Sequence, residues 1–209
     1  MTPVTPVTPV TPATPATPAP LDTGTWRWQR SCATWTFEIS RLPDAPASTA
    51  IANCAHGVLA ALPSFAAPAV ADWTTESAGD EAAVLPRGQA IDAAAIDQTL
   101  RTHPDLIALA LDLDLQVLAP DGTPEVALED GAVVHIELED TLLVLWLSLH
   151  VDLYARHTFG VDRNNERLAR LNAPRLSAFL ARLADHTGAR FHSVAAPSYG
   201  DQATPRGFE

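Results

Sequence analysis

Acidic residues at alternating positions in the middle of the chain are the residues whose type and spacing best suit binding or chemistry. Between residues 105 and 153, apolar side chains alternate with polar ones, and many of the polar ones are carboxylates. This period of two predicts β-strands with one buried face, so that the polar side chains share the other face. The candidate site residues on that face are Asp112, Asp114, Glu129, Glu137, Glu139, His150 and Asp152.

Two turn signals predict how these strands pair. Asp121-Gly122 suits a two-residue hairpin loop, and Asp140-Thr141 suits a tight turn. The resulting registers keep apolar side chains opposite one another; a slip of one residue would break this, whereas a slip of two would not. They place the carboxylates of Asp114, Glu129 and Asp152 in one row, on strands ~4.8 Å apart.

Three carboxylates in one row repel one another, so we expect positive charge to compensate them. Three sources of that charge remain open. The first is a helix face formed by Arg163, Arg167 and Arg170, the second is a basic partner protein, and the third is a hard divalent cation bound by the three carboxylates. From residue 161 onward the chain holds seven Arg and five acidic residues, which favours compensation within the chain. A bulge at Asp130-Gly131 would displace Glu129 from the row.

His150, beside the carboxylates, has the makings of a general base. Ser148 lies on the same face and suggests a Ser-His-Asp set, but neighbours on one strand face stand ~6.6 Å apart. The sequence contains no GxSxG, HExxH or CxxC motif and no glycine-rich phosphate loop. We therefore predict a binding protein without a cofactor. The enzymatic alternative is a small metal-dependent hydrolase that uses Asp114, Glu129, Asp152 and His150.

Composition limits the partners. The 209 residues include 25 acidic and 13 basic ones, so the formal net charge is −12, and every basic residue is Arg. This balance argues against nucleic acid or an anionic membrane as the main partner and favours a basic protein surface. No stretch reaches the ~18 apolar residues of a membrane helix. The first residues lack the features of a secretory signal, and Cys32 and Cys54 are expected to be buried, reduced thiols, so we expect a cytoplasmic protein.

The remaining segments predict the domain organisation. Residues 2–20 repeat Thr-Pro-Val and then Thr-Pro-Ala, and a proline at every third position excludes helix and sheet. Residues 1–22 are therefore predicted to form an extended arm. Residues 23–199 are predicted to form a single domain and residues 200–209 a flexible tail.

Pattern and turn residues predict the elements around the meander. They are a strand or hairpin over 25–40, a helix over 47–62 capped by Ser48 or Thr49, loops over 63–88 with a short strand at 70–75, helices over 91–102, 164–171 and 174–186, and a strand over 190–194. This order predicts an α+β fold, an antiparallel meander with helices packed on one face. Trp26 and Trp28, just after the arm, are an additional candidate binding platform.

A small acidic α+β protein with an acidic meander and a closing helix over 174–186 resembles, in overall character, bacterial toxin-immunity proteins. The resemblance covers roughly residues 105–190 and rests on the acidic residues of the meander: Asp112, Asp114, Glu129, Glu137 and Glu139. It implies a protein that binds and neutralises a partner toxin without catalysis. It carries no family motif, so no residue roles are transferred.

Overall fold

Seven antiparallel strands and three helices make up most of the structure, a computed structural model that describes residues 31–40, 46–77, 83–119, 122, 124–156 and 165–209. The predicted arm over 1–22, Trp26, Trp28, Asp121 and Arg163 lie outside the described residues. The elements are, in chain order, β1 (Ala33–Ser40), α1 (Ala47–Ala61), β2 (Ala66–Thr75), β3 (Ala83–Leu85), α2 (Ala93–Thr102), β4 (Leu106–Leu118), β5 (Pro124–Glu139), β6 (Leu142–Leu149), α3 (Glu166–Thr187), β7 (Arg190–Ala195), a 3-10 helix (Gly200–Gln202), β8 (Ala203–Thr204) and β9 (Gly207–Phe208). The architecture is α+β, as the sequence predicts.

The predicted meander β4–β5–β6 forms the centre of the sheet, whose strand order is β3-β2-β4-β5-β6-β1-β7. The register of β5 with β6 agrees with the prediction, since Ile136 lies opposite Leu145 and Leu138 opposite Leu143. The turn between these strands contains Asp140 in the left-handed region, at φ 49°, a conformation that Asp tolerates better than most side chains. In the outer part of the β4–β5 hairpin, Leu115 lies opposite Leu128, also as predicted.

A β-bulge changes the β4–β5 register in the middle of the hairpin. Leu113 lies opposite Ala132 while Leu115 lies opposite Leu128, so Asp114 alone faces three residues of β5. Asp130 has a φ of 50°. A Cβ on Gly131 would come within 2.9 Å of the Leu115 side chain, so any other residue there would force Leu115 to shift. An unbroken register would place Asp112 opposite Gly131. The bulge places it opposite Val133.

All three helices pack on one face of the sheet. The odd-numbered residues of β4 from Leu109 to Val117 are at most 2% exposed and share one apolar core with the buried sides of the helices. Within this layer α1 and α3 cross closely, since a Cβ on Gly57 would come within 2.7 Å of the His186 carbonyl oxygen. Residues 200–209, predicted to be a flexible tail, pack on the same side. There Phe208 contacts Trp35 edge to face at 5.5 Å, and the Trp35 indole donates to the Thr204 carbonyl at 2.8 Å.

Two predicted regions differ from the structure because tertiary packing outweighs local signals. The region predicted to be mainly loops contains β2 over its full ten residues and β3. Pro68 is accommodated where the β2–β4 register shifts, so it removes no regular ladder bond. Helix α1 starts where predicted, but its N-cap is Pro46 without a side-chain hydrogen bond, so Ser48 and Thr49 are not the cap.

The two helices predicted on either side of Pro174 are one continuous helix, α3. Proline within a helix removes one backbone hydrogen bond and usually bends or breaks it. Here the buried side chains of Leu168, Asn172 and Leu176 hold both halves against the core. The predicted stripe of Leu176, Phe179, Leu180 and Leu183 is buried, and Gly188 ends the helix in the left-handed conformation, as predicted.

Cys32 and Cys54 are free and buried, as the sequence predicts. Burial raises the pKa of both thiols to about 12, so both are protonated at neutral pH. Among the described residues, no helix is both long enough and apolar enough to cross a membrane.

Candidate functional site

The face of the sheet that no helix covers is strongly acidic among the described residues; we call it the acidic face. Cross-strand pairing brings its side chains together from β2, β4, β5, β6, β1 and β7. It carries eight carboxylates against two guanidinium groups. The carboxylates belong to Glu38, Asp72, Asp112, Asp114, Glu129, Asp130, Glu137 and Glu139, and the guanidinium groups belong to Arg87 and Arg190.

Arg87 neutralises the part of the acidic face at the bulge. It follows β3, and its guanidinium group binds the carboxylate of Asp114 and, at 2.6 Å, that of Asp130. The other Asp114 oxygen accepts the backbone N–H of Asp130 at 3.0 Å, so the bulge and the ion pair hold each other in place. The hydrogen bond that Arg87 donates to Asp114 is the main cause of a raised pKa of Arg87.

Cover of the acidic face by Arg163, Arg167 and Arg170 is one of the three sources of charge that the sequence leaves open, and the two described residues, Arg167 and Arg170, do not provide it. Helix α3 lies on the other side of the sheet, where Arg167 is exposed and Arg170 pairs with Glu166 at 2.9 Å. Compensation does come from within the chain, but Arg87 supplies it. No signal in the sequence identifies Arg87, which comes from a loop 27 residues before Asp114.

Among the described residues, no guanidinium group forms an ion pair with Asp112. Its side chain is half-buried between Val70 and Val133 in the register. Burial, together with the negative charges of Asp130 and Asp72, raises the pKa of this carboxyl, and His150 and Arg87 oppose the shift only in part. Asp112 is therefore held in an environment that disfavours its charge and would gain from an additional cation.

The predicted row of Asp114, Glu129 and Asp152 does not form. The alternation ends with β6, and all residues from Val151 to Ala155 are buried, with Asp152 only 1% exposed. The chain there leaves the sheet and enters the core, so Asp152 does not lie on the acidic face. Glu129 remains exposed on the strand just before Asp130.

The residues of the two enzymatic alternatives do not converge. His150 lies at the end of β6 with its Nδ1 at 3.1 Å from the Asp130 carbonyl oxygen. The Ser148 hydroxyl bonds the Thr34 hydroxyl at 2.9 Å, and Asp152 is buried in the core. In the described ranges, no group of three or more His, Cys, Asp or Glu side chains could hold a metal ion.

An aromatic pair lies at the centre of the acidic face. His135 and Trp146 lie opposite each other, as the register predicts, and their rings stack at 5.2 Å with an angle of 22°. Burial lowers the pKa of His135, although Glu137, 3.8 Å away, opposes this. The half-buried Trp146 and Val133 give the face an apolar centre within an acidic surround.

Sequence reasoning missed four further members of this surface. Asp72 and Glu38 belong to it because β2 and β1 extend the meander on its two sides, which alternation within one segment does not reveal. Asp130 belongs to it through the bulge. Trp146 belongs to it because it lies opposite His135, on the polar side of β6.

Comparison with known proteins finds no matching family model, no matching curated protein and no matching solved structure.

Proposed function

We propose that this chain is a non-enzymatic binding module that recruits a basic partner protein through its acidic face. The observation that carries the proposal is the one-sided sheet, whose uncovered face carries eight carboxylates and two guanidinium groups in the part of the chain that the structure describes. The negative charges of Asp130 and Asp72 repel that of Asp112. A basic partner would relieve this repulsion and would also associate faster through electrostatic attraction.

The apolar centre supports a protein partner over a simple counterion. Protein interfaces combine an apolar centre with a polar rim, and tryptophan is enriched among the residues that dominate binding energy. The stacked pair of Trp146 and His135 offers such a centre, and Glu137, Asp112 and Glu38 surround it.

We propose that the chain acts as an immunity-type inhibitor, which neutralises its partner by occupying it. The acidic residues of the meander support this binding mode. The separation of Ser148, His150 and Asp152 supports binding over catalysis. Two free, buried cysteines suit a reducing compartment, and we therefore propose that the protein acts in the cytoplasm.

A comparison of three baits in the native cell lysate tests this function. The first bait is the wild-type chain, and the second carries Asp72→Asn, Asp112→Asn and Glu137→Gln, which leaves the Arg87 ion pairs intact. The third bait, a matched control, carries Asp97→Asn, Asp185→Asn and Asp201→Asn on α2, α3 and the 3-10 helix. Both variants change the net charge by the same amount, so a general charge effect acts on both alike.

Quantitative mass spectrometry of the captured proteins then separates the outcomes. We expect at least one protein with a basic surface to be retained by the wild type and the control and lost from the acidic-face variant. Equal retention by all three baits, or equal loss from both variants, would contradict binding through the acidic face.

A further inference from the structure

A pocket of about 430 Å³ lies on the helix-covered side of the protein, away from the acidic face. Its walls come from three separate segments: residues 154–156 after β6, the middle of α3, and residues 206–209 at β9. The volume falls within the range of sites that take small organic ligands. The acidic face does not contribute to it, so its ligand is independent of the proposed protein partner.

Three arginines line this pocket, and each comes from a different segment. Among the described residues, Arg156, Arg170 and Arg206 line the pocket together with one acidic residue, Glu209, so arginine outnumbers acid in this lining although the net charge of the chain is −12. Arg170 also pairs with Glu166, but both side chains are more than half exposed. An exposed pair of this kind is weak and exchanges readily for another anion.

Hydrogen bonds position the backbone segments that carry these arginines. The Arg156 carbonyl accepts the N–H of the buried Asn165 at 3.0 Å, and the Asn165 side chain donates to the Asp152 carbonyl at 3.2 Å. Arg170 lies on α3. Arg206 lies in the turn between β8 and β9, where its N–H donates to the Thr204 hydroxyl at 3.2 Å.

Apolar groups complete the lining and indicate the second half of the ligand. Tyr154 and Phe208, both largely buried, line the pocket together with Ala173 and Pro174. Phe208 makes edge-to-face contacts with Trp35 at 5.5 Å and Tyr199 at 5.3 Å, so this wall is packed against the core. An anion with an adjacent ring would satisfy both the guanidinium groups and the apolar wall.

We propose that this pocket binds a small aromatic phosphate. The guanidinium fork matches phosphate oxygens in pairs. A phosphate dianion balances more of the three positive charges than a single carboxylate can. The aromatic ring of the ligand packs against Phe208 and Pro174.

Isothermal titration of the full chain with phenyl phosphate tests the proposal, with inorganic phosphate as the anion that lacks a ring. Three variants accompany the wild type: the double variant Arg156→Gln, Arg206→Gln, the single variant Arg170→Gln, and the control Arg101→Gln. Arg101 is an exposed arginine of α2 outside the pocket. All substituted side chains are exposed, and a thermal melt of each variant verifies that it is folded.

We expect saturable binding of phenyl phosphate that weakens at least tenfold in the double variant, weakens in Arg170→Gln, and stays within twofold of wild type in Arg101→Gln. Inorganic phosphate should bind at least fivefold more weakly than phenyl phosphate, because it makes no contact with the apolar wall. Three results would overturn the proposal: no saturable binding, equal weakening in the Arg101 control, or inorganic phosphate binding as tightly as phenyl phosphate.

Discussion

Replacement of Asn172 by Leu should cost about 2–3 kcal/mol of unfolding free energy, because this side chain joins α3 to the end of β4. Asn172 is fully buried, and its Oδ1 accepts the N–H of Leu118 at 2.9 Å. Its Nδ2 donates to the carbonyl oxygens of Leu118 at 3.2 Å and Leu168 at 3.0 Å. The substitution Asn172→Leu keeps the number and branching of the side-chain heavy atoms but removes these three bonds and the one that Oδ1 accepts from Arg175 at 3.3 Å.

The magnitude follows from the backbone groups that lose their partner. A buried polar group left without a hydrogen bond costs about 1–3 kcal/mol. Leu118 contributes one N–H and one C=O, and both of its bonds to Asn172 are only partly buried, so water can replace part of the loss. Two groups at the lower end of that range give the stated 2–3 kcal/mol.

Urea titration followed by tryptophan fluorescence measures this change, with Asn53→Leu as the matched control. Asn53 lies on α1 and is exposed, so its replacement should alter the unfolding free energy by no more than about 0.5 kcal/mol. A loss below about 1 kcal/mol for Asn172→Leu, or a loss equal to that of the control, would refute the inference that Asn172 pins the helix to the sheet.

Three further predictions test the one-sided sheet, the charge on the acidic face and the domain boundary. Leu145→Asp should unfold the protein, as measured by circular dichroism, because it places an unpaired charge at a fully buried position. Glu137→Ala should change the unfolding free energy by only about 0.5 kcal/mol. Equal effects of the two substitutions would contradict burial of only one face of the sheet. Asp112→Asn should raise the melting temperature at pH 7 and leave it unchanged near pH 3. The pKa of Asp112 is raised in the folded state, so ionisation of this carboxyl lowers the unfolding free energy of the wild type. This loss of stability begins as the pH rises above the ordinary Asp pKa of about 3.9 and is complete above the pKa in the folded state. A lower melting temperature for Asp112→Asn than for the wild type at pH 7 would contradict this prediction. Deletion of residues 1–22 should leave the melting temperature within a few degrees of the full chain, since a Thr-Pro repeat offers no packed apolar face, and a larger loss would show that the arm packs on the domain.

The strands of the meander could be predicted because their periodicity is unambiguous. From Leu109 to Val117 every second residue is apolar, and one face of this segment is buried. The same alternation predicts the pairing of His135 with Trp146. Asp130-Gly131 predicts a bulge, but its size and the exact partner of Asp114 depend on how Gly131 packs against Leu115.

Elements whose local signals conflict with their packing were predicted poorly. The buried side of β2 consists largely of alanines and its ladder contains Pro68, so it lacks the β-branched pattern that marks a strand. Pro174 signals a helix boundary, yet the apolar side of α3 continues across it. Both outcomes follow from contacts with distant parts of the chain.

The candidate site was predicted in its chemistry but only partly in its geometry. Asp112, Asp114 and Glu137 lie on one face as alternation requires, whereas Asp152 lies beyond the end of β6, where the chain enters the core. The ion pair of Arg87 with Asp114 joins segments that no periodicity relates. The sequence therefore indicates that the surface is acidic, but it does not indicate which arginine pairs with the carboxylates.

The association rate of the captured partner measures directly whether binding occurs through the acidic face. The partner retained by the wild-type bait is immobilised, and the wild-type chain, the acidic-face variant and the control with the same net charge are compared over a range of salt concentrations. We predict that the acidic-face variant associates at least tenfold more slowly at low salt and with a weaker salt dependence, while the control matches the wild type. Equal association rates for the acidic-face variant and the wild type would contradict binding through this face.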